Sequence, residues 1–379
     1  MLGKATPDKV IDIIRFSVAI CFCWPCPLNS SRNQIFGFKV LQISSVISAC
    51  MMLLPLFYSI YLHNDDVIHI SKCICISIGV TQLIVQTLIC FIKHNSLQRV
   101  VGEMMKCVKE AQQNEMEIFS KYIEKCKIFY GSSIIFSYLT STAFMLGPII
   151  LPISFPFDAE YPFRVNHSLA IIIVYIHQSL VGYQCSANVC ASVFGALLLW
   201  FTVARFECLI VEFQKCTDID MVITCVKKQV QLRRYAKEVI KCFRYIVLYN
   251  ITITTFALII SCIILLMIRI NKQNVPLIVK MQFIIICVTI MTEIYIYAWP
   301  ADYVKNMSIN ISRSVYELSW YEQTLEMRKY LLNVLIYQKP ITFSISCIVP
   351  ELTLHYYCSY LSNAFSIFTT LRILLEDST

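Results

Sequence analysis

Seven apolar segments are separated by loops whose charge is one-sided, and this pattern constrains the fold more than any other feature of the chain. They lie at residues 40–62, 68–92, 128–152, 168–204, 245–268, 276–300 and 342–372. A hydrocarbon core of ~30 Å needs about 20 largely apolar residues per spanning helix, and each segment meets that requirement. The fourth is longer than a bilayer needs, so it should tilt or project into solvent. Of the 32 Lys and Arg residues, 26 fall in segments 1–39, 93–127, 205–244 and 305–339. The short loops 63–67 and 153–167 carry one basic residue between them, Arg164, beside Asp65, Asp66, Asp158 and Glu160. Lys and Arg in short loops mark the cytoplasmic side. The chain is therefore expected to start in the cytoplasm and end outside the cell.

Composition supports a membrane class. Hydrophobic residues make up 57% and charged residues 15%, with a mean hydropathy of +0.64; soluble domains carry about 25% charge. Only eight glycines occur, and no ten-residue segments of alternating hydropathy stand out, which argues against a barrel. The reading is an all-α membrane protein of seven transmembrane helices. The net charge of +8 is explained by topology and needs no nucleic acid. Residues 13–28 are apolar but are interrupted by Trp24, Pro25 and Pro27, with no small-residue cleavage site. They are expected to lie at the inner membrane surface as a short amphipathic or re-entrant piece.

The chain divides into a cytoplasmic N-terminal segment (1–39), six spans with cytoplasmic extensions (40–304), a cytoplasmic anchor helix (305–341) and a final broken span with its tail (342–379). Within 320–335, Glu322, Glu326, Lys329 and Asn333 share one helical face, opposite Trp320, Met327, Leu331, Val334 and Leu335. Residues 226–240 pair a basic face with Val226, Val230, Val239 and Ile240. Helices this amphipathic need an apolar partner surface, so a cytoplasmic helical bundle is expected, and such a bundle is a natural subunit interface. Pro350 should break the last span, with Thr353 as the N-cap of a helix running to about Leu374.

Catalytic signatures are missing: no phosphate-binding loop, no H-E-x-x-H pair and no G-x-S-x-G elbow. The chain is read as a non-enzyme without cofactor or metal. The 19 cysteines fall in spans or on the cytoplasmic side, where thiols stay reduced. Cys21, Cys23 and Cys26 lack a nearby fourth ligand for zinc. Within the spans the charges are Lys72, Lys280, Glu293 and Glu351. The two lysines lie near outer ends and can snorkel, and Glu351, beside the break, is the carboxylate expected to line water.

The outer halves of four spans mix aromatics, methionines and hydroxyls. These are Ser77 and Thr81 on the second; Tyr138, Ser141, Thr142, Phe144 and Met145 on the third; Tyr175, His177, Gln178, Ser179 and Tyr183 on the fourth; and Met281, Phe283, Cys287 and Met291 on the sixth. Such walls suit a small-molecule pocket, although Ser and Thr also serve plain helix packing. The ligand-binding set is read as Ser77, Thr81, Tyr138, Ser141, Met145, Tyr175, Gln178, Ser179, Phe283 and Cys287. Burying about 250 Å² of a small apolar ligand yields roughly 6 kcal/mol before association costs, hence micromolar affinity or weaker. Shape would then set discrimination, since one methylene is worth about 1–3 kcal/mol.

The motifs YAWPADY (297–303), SVYELSWYE (314–322), QKP (338–340), VPELTL (349–354) and LSNAFSIFTTLR (361–372) carry a resemblance. The chain resembles insect odorant receptors of the expanded hymenopteran type, essentially end to end. Asn363 and Ile367 depart from the family's C-terminal S-Y-S-Y-F-T-x-L-R pattern. The resemblance implies a subunit that binds small, mostly apolar odorants and gates a nonselective cation channel in the plasma membrane of a sensory neuron dendrite. It implies a tetramer with the odorant co-receptor Orco, joined through the cytoplasmic anchor, and a pocket among the second, third, fourth and sixth helices. It also puts Thr369, Thr370 and Leu374 on the pore. Residues 205–244 are too short for the co-receptor's long insertion, so a tuning subunit is implied. A gustatory receptor-type channel is the nearest alternative. A G-protein-coupled receptor would need an external N-terminus and an outer-loop disulfide, and a transporter would need repeated broken helices. Asn166, in Asn-His-Ser, is the one sequon placed outside.

Overall fold

The computed structural model describes residues 6–150, 155–157, 159–163, 167–270, 276–317, 324–336, 339–345 and 349–377. The described residues form ten helices: α1 (Pro7–Ser17), α2 (Arg32–Leu62), α3 (Val67–Ile92), α4 (His94–Glu110), α5 (Gln113–Ile150), α6 (Ser168–Gln214), α7 (Ile219–Ile270), α8 (Leu277–Glu317), α9 (Leu325–Ile336) and α10 (Leu354–Asp377). Six of them, α2, α3, α5, α6, α7 and α8, are long and apolar enough to cross a bilayer. The protein is a multi-pass, all-helical membrane protein.

Local chemistry starts these helices where the sequence changes character. Ser31 and Gln34 form a reciprocal capping box at α2, which satisfies two otherwise orphaned amides. The Asp66 carboxylate accepts from the amides of Ile68 and His69 at α3. The seventh expected span is helical only from Leu354. Before it, residues 341–345 and 349–353 run as extended chain, with Ile345 and Val349 bridged and the Leu352 amide bonded to the Phe343 carbonyl at 2.8 Å. Thr353 caps α10, its Oγ1 accepting from the Tyr356 amide at 3.2 Å.

The centre of the bundle is α6. Of its most apolar window, 89% is buried, against 6% for α5. So α6 is the axial helix, wrapped by α3, α5, α7 and α8, while α5 shows most of its apolar surface to the surroundings, as a lipid-facing helix must. At ~1.5 Å per residue, the 47 residues of α6 extend roughly twice the hydrocarbon thickness. Its excess, with those of α5, α7 and α8, builds a second layer together with α4 and α9 at the Lys/Arg-rich pole. There Lys121 pairs with Glu207 at 2.6 Å, Lys228 with Glu212 at 2.7 Å, and the Tyr235 hydroxyl donates to the Val100 carbonyl. The amphipathic face of α9 is used as expected, with Met327 and Leu331 buried. On α7, Val239 is buried but Val230 is 63% exposed. Residues 318–323, including Trp320 and Glu322, lie outside the described residues.

Between the two layers sits an aromatic girdle. Trp200 of α6 meets Trp299 edge-on and packs against Tyr303, and Trp299 stacks on Tyr130. The Trp200 indole N–H donates to the Tyr130 hydroxyl at 2.9 Å, which donates on to the Ile296 carbonyl. Trp200 and Tyr130 are buried and Trp299 and Tyr303 half-buried, so YAWPADY supplies two rings of this girdle. Its Tyr297 turns inward, fully buried against Gly195 and Phe243.

Residues 18–26 fold back into the bundle. Val18, Cys21 and Cys23 are buried, the Cys21 thiol points at the Ala187 carbonyl, and Trp24 packs on Phe194. The thiols of all described cysteines are free, and no group of three or more His, Cys, Asp or Glu able to hold a metal occurs among the described residues.

Candidate ligand site and gate

The sequence-derived pocket residues divide between two walls, both built on helices next to α6. The first is made by α5, α6 and residues 155–157 and 159–163. Ser141 on α5 bonds to the Gly182 carbonyl and to the Ser186 hydroxyl. Met145, one turn further out, is buried against Gly182, which Phe157 also covers. The Tyr175 hydroxyl donates to the Met145 carbonyl at 2.6 Å. Gln178 is fully buried: its carbonyl accepts from the Phe157 amide at 3.0 Å and its amide donates to the Tyr161 hydroxyl at 3.2 Å. Gln178 thus fastens residues 155–157 and 159–163 as a roof over the first turns of α6. Next to it, Ser179 has a buried hydroxyl without a hydrogen-bond partner, an arrangement that costs about 1–3 kcal/mol unless a ligand or water answers it.

Tyr138 lies deeper on α5, and its hydroxyl donates to the Ser17 carbonyl at the end of α1. The structure thus gives Tyr138 the task of anchoring the N-terminal re-entrant piece, a contact that sequence spacing alone does not reveal.

The second wall is made by α3, α7 and α8. Ser77 returns its hydroxyl to the Cys73 carbonyl at 2.7 Å and Thr81 to Ile78 at 2.9 Å, the usual way a hydroxyl is carried inside a span. Phe283 is completely buried with Cys75, Ile264 and Ile268. Cys287 packs with Ile78, Cys262 and Met291 against Ala257, Leu258 and Ile290, a cluster that also takes in Tyr360 and Ala364 of α10. The second wall therefore touches the last helix.

Behind α10 an apolar cavity of about 140 Å³ opens between it and α7, lined by residues including Leu258, Cys262, Tyr360, Ala364 and Phe368. The Tyr360 and Thr255 hydroxyls meet across it at 3.2 Å. Thr369 and Thr370 both donate to the Ser366 carbonyl. Thr370 is exposed and Thr369 half-exposed; Leu374 belongs to α10, but its side chain lies outside the described residues. Asn166 also lies outside them.

The two carboxylates read within the spans sit in different surroundings. Glu351 is paired with Lys305 at 2.6 Å, both half-exposed. Glu293 is the buried one, 4% exposed on α8, and it is surrounded by Gln82, Ser192 and Asn250 from three other helices. The signal for it is present in the chain as polar residues one turn apart, Gln82 and Gln86 on α3 and Asn188 and Ser192 on α6, all buried.

Comparisons with known proteins agree with this architecture. The olfactory receptor OR5 from Machilis hrabei superposes with a TM-score of 0.77 over 98% of both chains at 15% identity, and the structure of that receptor in complex with eugenol does so equally. They share the fold. Odorant receptor 10 of Aedes albopictus is 26% identical over 112 residues, a stretch spanning 29% of this chain and 29% of that relative's length. The sequence profile described as 7tm Odorant receptor matches residues 66–365, from the start of α3 to the middle of α10. On that match the chain belongs to the seven-transmembrane odorant receptor family.

Proposed function

We propose that the chain is the odorant-binding subunit of a cation channel in the plasma membrane, assembled with the co-receptor Orco through the basic-pole layer. Odorant enters the outer half between the two walls, and its preference for one arrangement of α8 against α10 shifts the channel toward opening, as differential affinity requires. The observation that carries this reading is the unpartnered, buried Ser179 hydroxyl one turn after Tyr175 on α6: one hydrogen bond for a small ligand. In this reading the pore surface is the exposed face of α10 around Thr370, with Thr369 and Leu374 as the further pore residues that the resemblance assigns. The orientation rests on loop charge: the Lys/Arg-rich pole is cytoplasmic, and the roof over the start of α6 is outside.

The test is recording of currents in cells expressing the chain with and without the co-receptor, against a panel of volatiles and cuticular hydrocarbons. Odour-gated cation current requiring both subunits is expected; a G-protein response without the co-receptor contradicts the proposal. Ser179→Ala is expected to weaken hydroxyl- or carbonyl-bearing agonists about tenfold relative to hydrocarbons of the same length, in line with one hydrogen bond of about 1 kcal/mol or more. An unchanged agonist ranking in both Ser179→Ala and Tyr175→Ala, at constant surface expression, contradicts this placement of the ligand.

A further inference from the structure

The Glu293 cluster has an electrostatic gap that neither packing nor odorant binding closes. Oε1 of Glu293 accepts three hydrogen bonds, from the amide of Gln82, from Asn250 Nδ2 at 3.1 Å and from Ser192 Oγ at 3.4 Å. No ion pair to Glu293 occurs among the described residues, and a buried carboxylate at this depth is among the costliest groups a membrane protein can hold. Beside it lies a void of about 10 Å³, lined by Asn250, Thr254, Glu293 and Tyr297 and closed by apolar Val247, Ile251, Ile294 and Leu352. Two oxygens of that lining are buried and unpartnered, Asn250 Oδ1 and the Tyr297 hydroxyl, on residues 4% and 2% exposed. Glu293 Oε2 receives no hydrogen bond from a described residue, and Thr254 Oγ1 donates to the Asn250 carbonyl, which leaves its lone pairs available.

We propose that this void is a binding site for one small monovalent cation of sodium size. The donor set is all oxygen, with one carboxylate and three neutral groups. That suits a hard cation, and its single negative charge matches a monovalent ion; a divalent one draws on more carboxylates or keeps its waters. The void is at the lower limit for a water molecule, which favours the smaller ion. A water could satisfy the two orphan oxygens but brings no positive charge to the carboxylate beside them. Because the ligands come from α7 and α8 and the apolar wall includes Leu352, two residues before α10, the bound ion fastens these helices together at the root of the last helix.

The experiment is thermal unfolding of the full-length chain in lipid nanodiscs, with NaCl replaced stepwise by N-methylglucamine chloride at fixed ionic strength. The wild type is expected to show a saturable rise in midpoint of about 2–5 °C with sodium. Glu293→Gln, which keeps the shape and removes the charge, is expected to lose that dependence while unfolding no lower than the sodium-free wild type. Tyr297→Phe, which removes one ligand oxygen, is expected to raise the half-saturating sodium concentration about threefold or more. A wild type indifferent to sodium would show that a proton or a water alone fills the gap and overturns the proposal. So does a Glu293→Gln variant that responds like the wild type, since the ion would then act elsewhere, for instance along the conduction path. None of these readouts uses odour-evoked current, so their failure leaves the odorant reading standing.

Discussion

Gly195 and Gly182 occupy the same helix, and both are closely approached, yet substitution should separate them. A Cβ at Gly195 would lie 2.7 Å from a Tyr297 ring carbon and 2.9 Å from one of Phe243, both in buried rings. Rings packed at interior density do not yield. Gly195→Ala is therefore expected to cost about 1–3 kcal/mol, read as a lower unfolding midpoint and reduced surface expression. At Gly182 the nearest atom is the terminal methyl of Met145, at 2.5 Å, the flexible end of an adaptable side chain. Gly182→Ala should fold normally and instead reshape agonist ranking, because the displaced methionine moves into the first wall. His94 gives a pH-dependent case. Burial first, and then the charge of Lys39, hold its imidazole below the ordinary range. The unfolded chain binds the proton more readily, so stability is full above about pH 6.5 and declines as pH falls through that value. His94→Gln should flatten the fall in unfolding midpoint between pH 7.5 and 5.5; an identical fall in both proteins would assign the acid sensitivity to other groups.

At the scale of elements, α10 shows what a motif encodes. Thr353 supplies the cap, and the Lys305–Glu351 pair holds the preceding turn to α8. Thr353→Ala is expected to lose about 1 kcal/mol at the α10 start and to change the fraction of channels open without odorant, measured as basal current at constant surface expression. Six of the spans and this cap were legible from hydropathy, Pro350 and Thr353, because membrane insertion and capping are local; the extended chain before Leu354 was not. The residues of the sixth span's Glu293 cluster were not assembled from spacing, because Gln82, Ser192 and Asn250 reach it from three other helices and the chain gives no register between them. Likewise Tyr138 reads as a pocket residue from its neighbours on α5, and only the fold-back of residues 18–26 reveals the Ser17 carbonyl that it meets. For α4, the amphipathic spacing of Leu97, Val100, Val101, Met104 and Val108, all buried, was hidden inside a segment read for its charges.

At the scale of the molecule, two layers divide the work. The membrane layer around α6 carries both walls and the last helix. The basic-pole layer, where α4, α9 and the long ends of α5 to α8 meet, offers Arg233, Arg234, Lys237 and Lys241 around an open groove, the surface on which the proposed subunit anchor rests. Burial of apolar surface in the first layer and ion pairing in the second accord with the threading of the chain that the loop charges predict. Epitope tags at the two termini of the full-length chain, read by antibody on intact and permeabilised cells, test that threading directly. The account predicts that the C-terminal tag is labelled on intact cells and the N-terminal tag only after permeabilisation; the reverse pattern would put the roofed end of α6 in the cytoplasm and contradict an odorant site open to the outside.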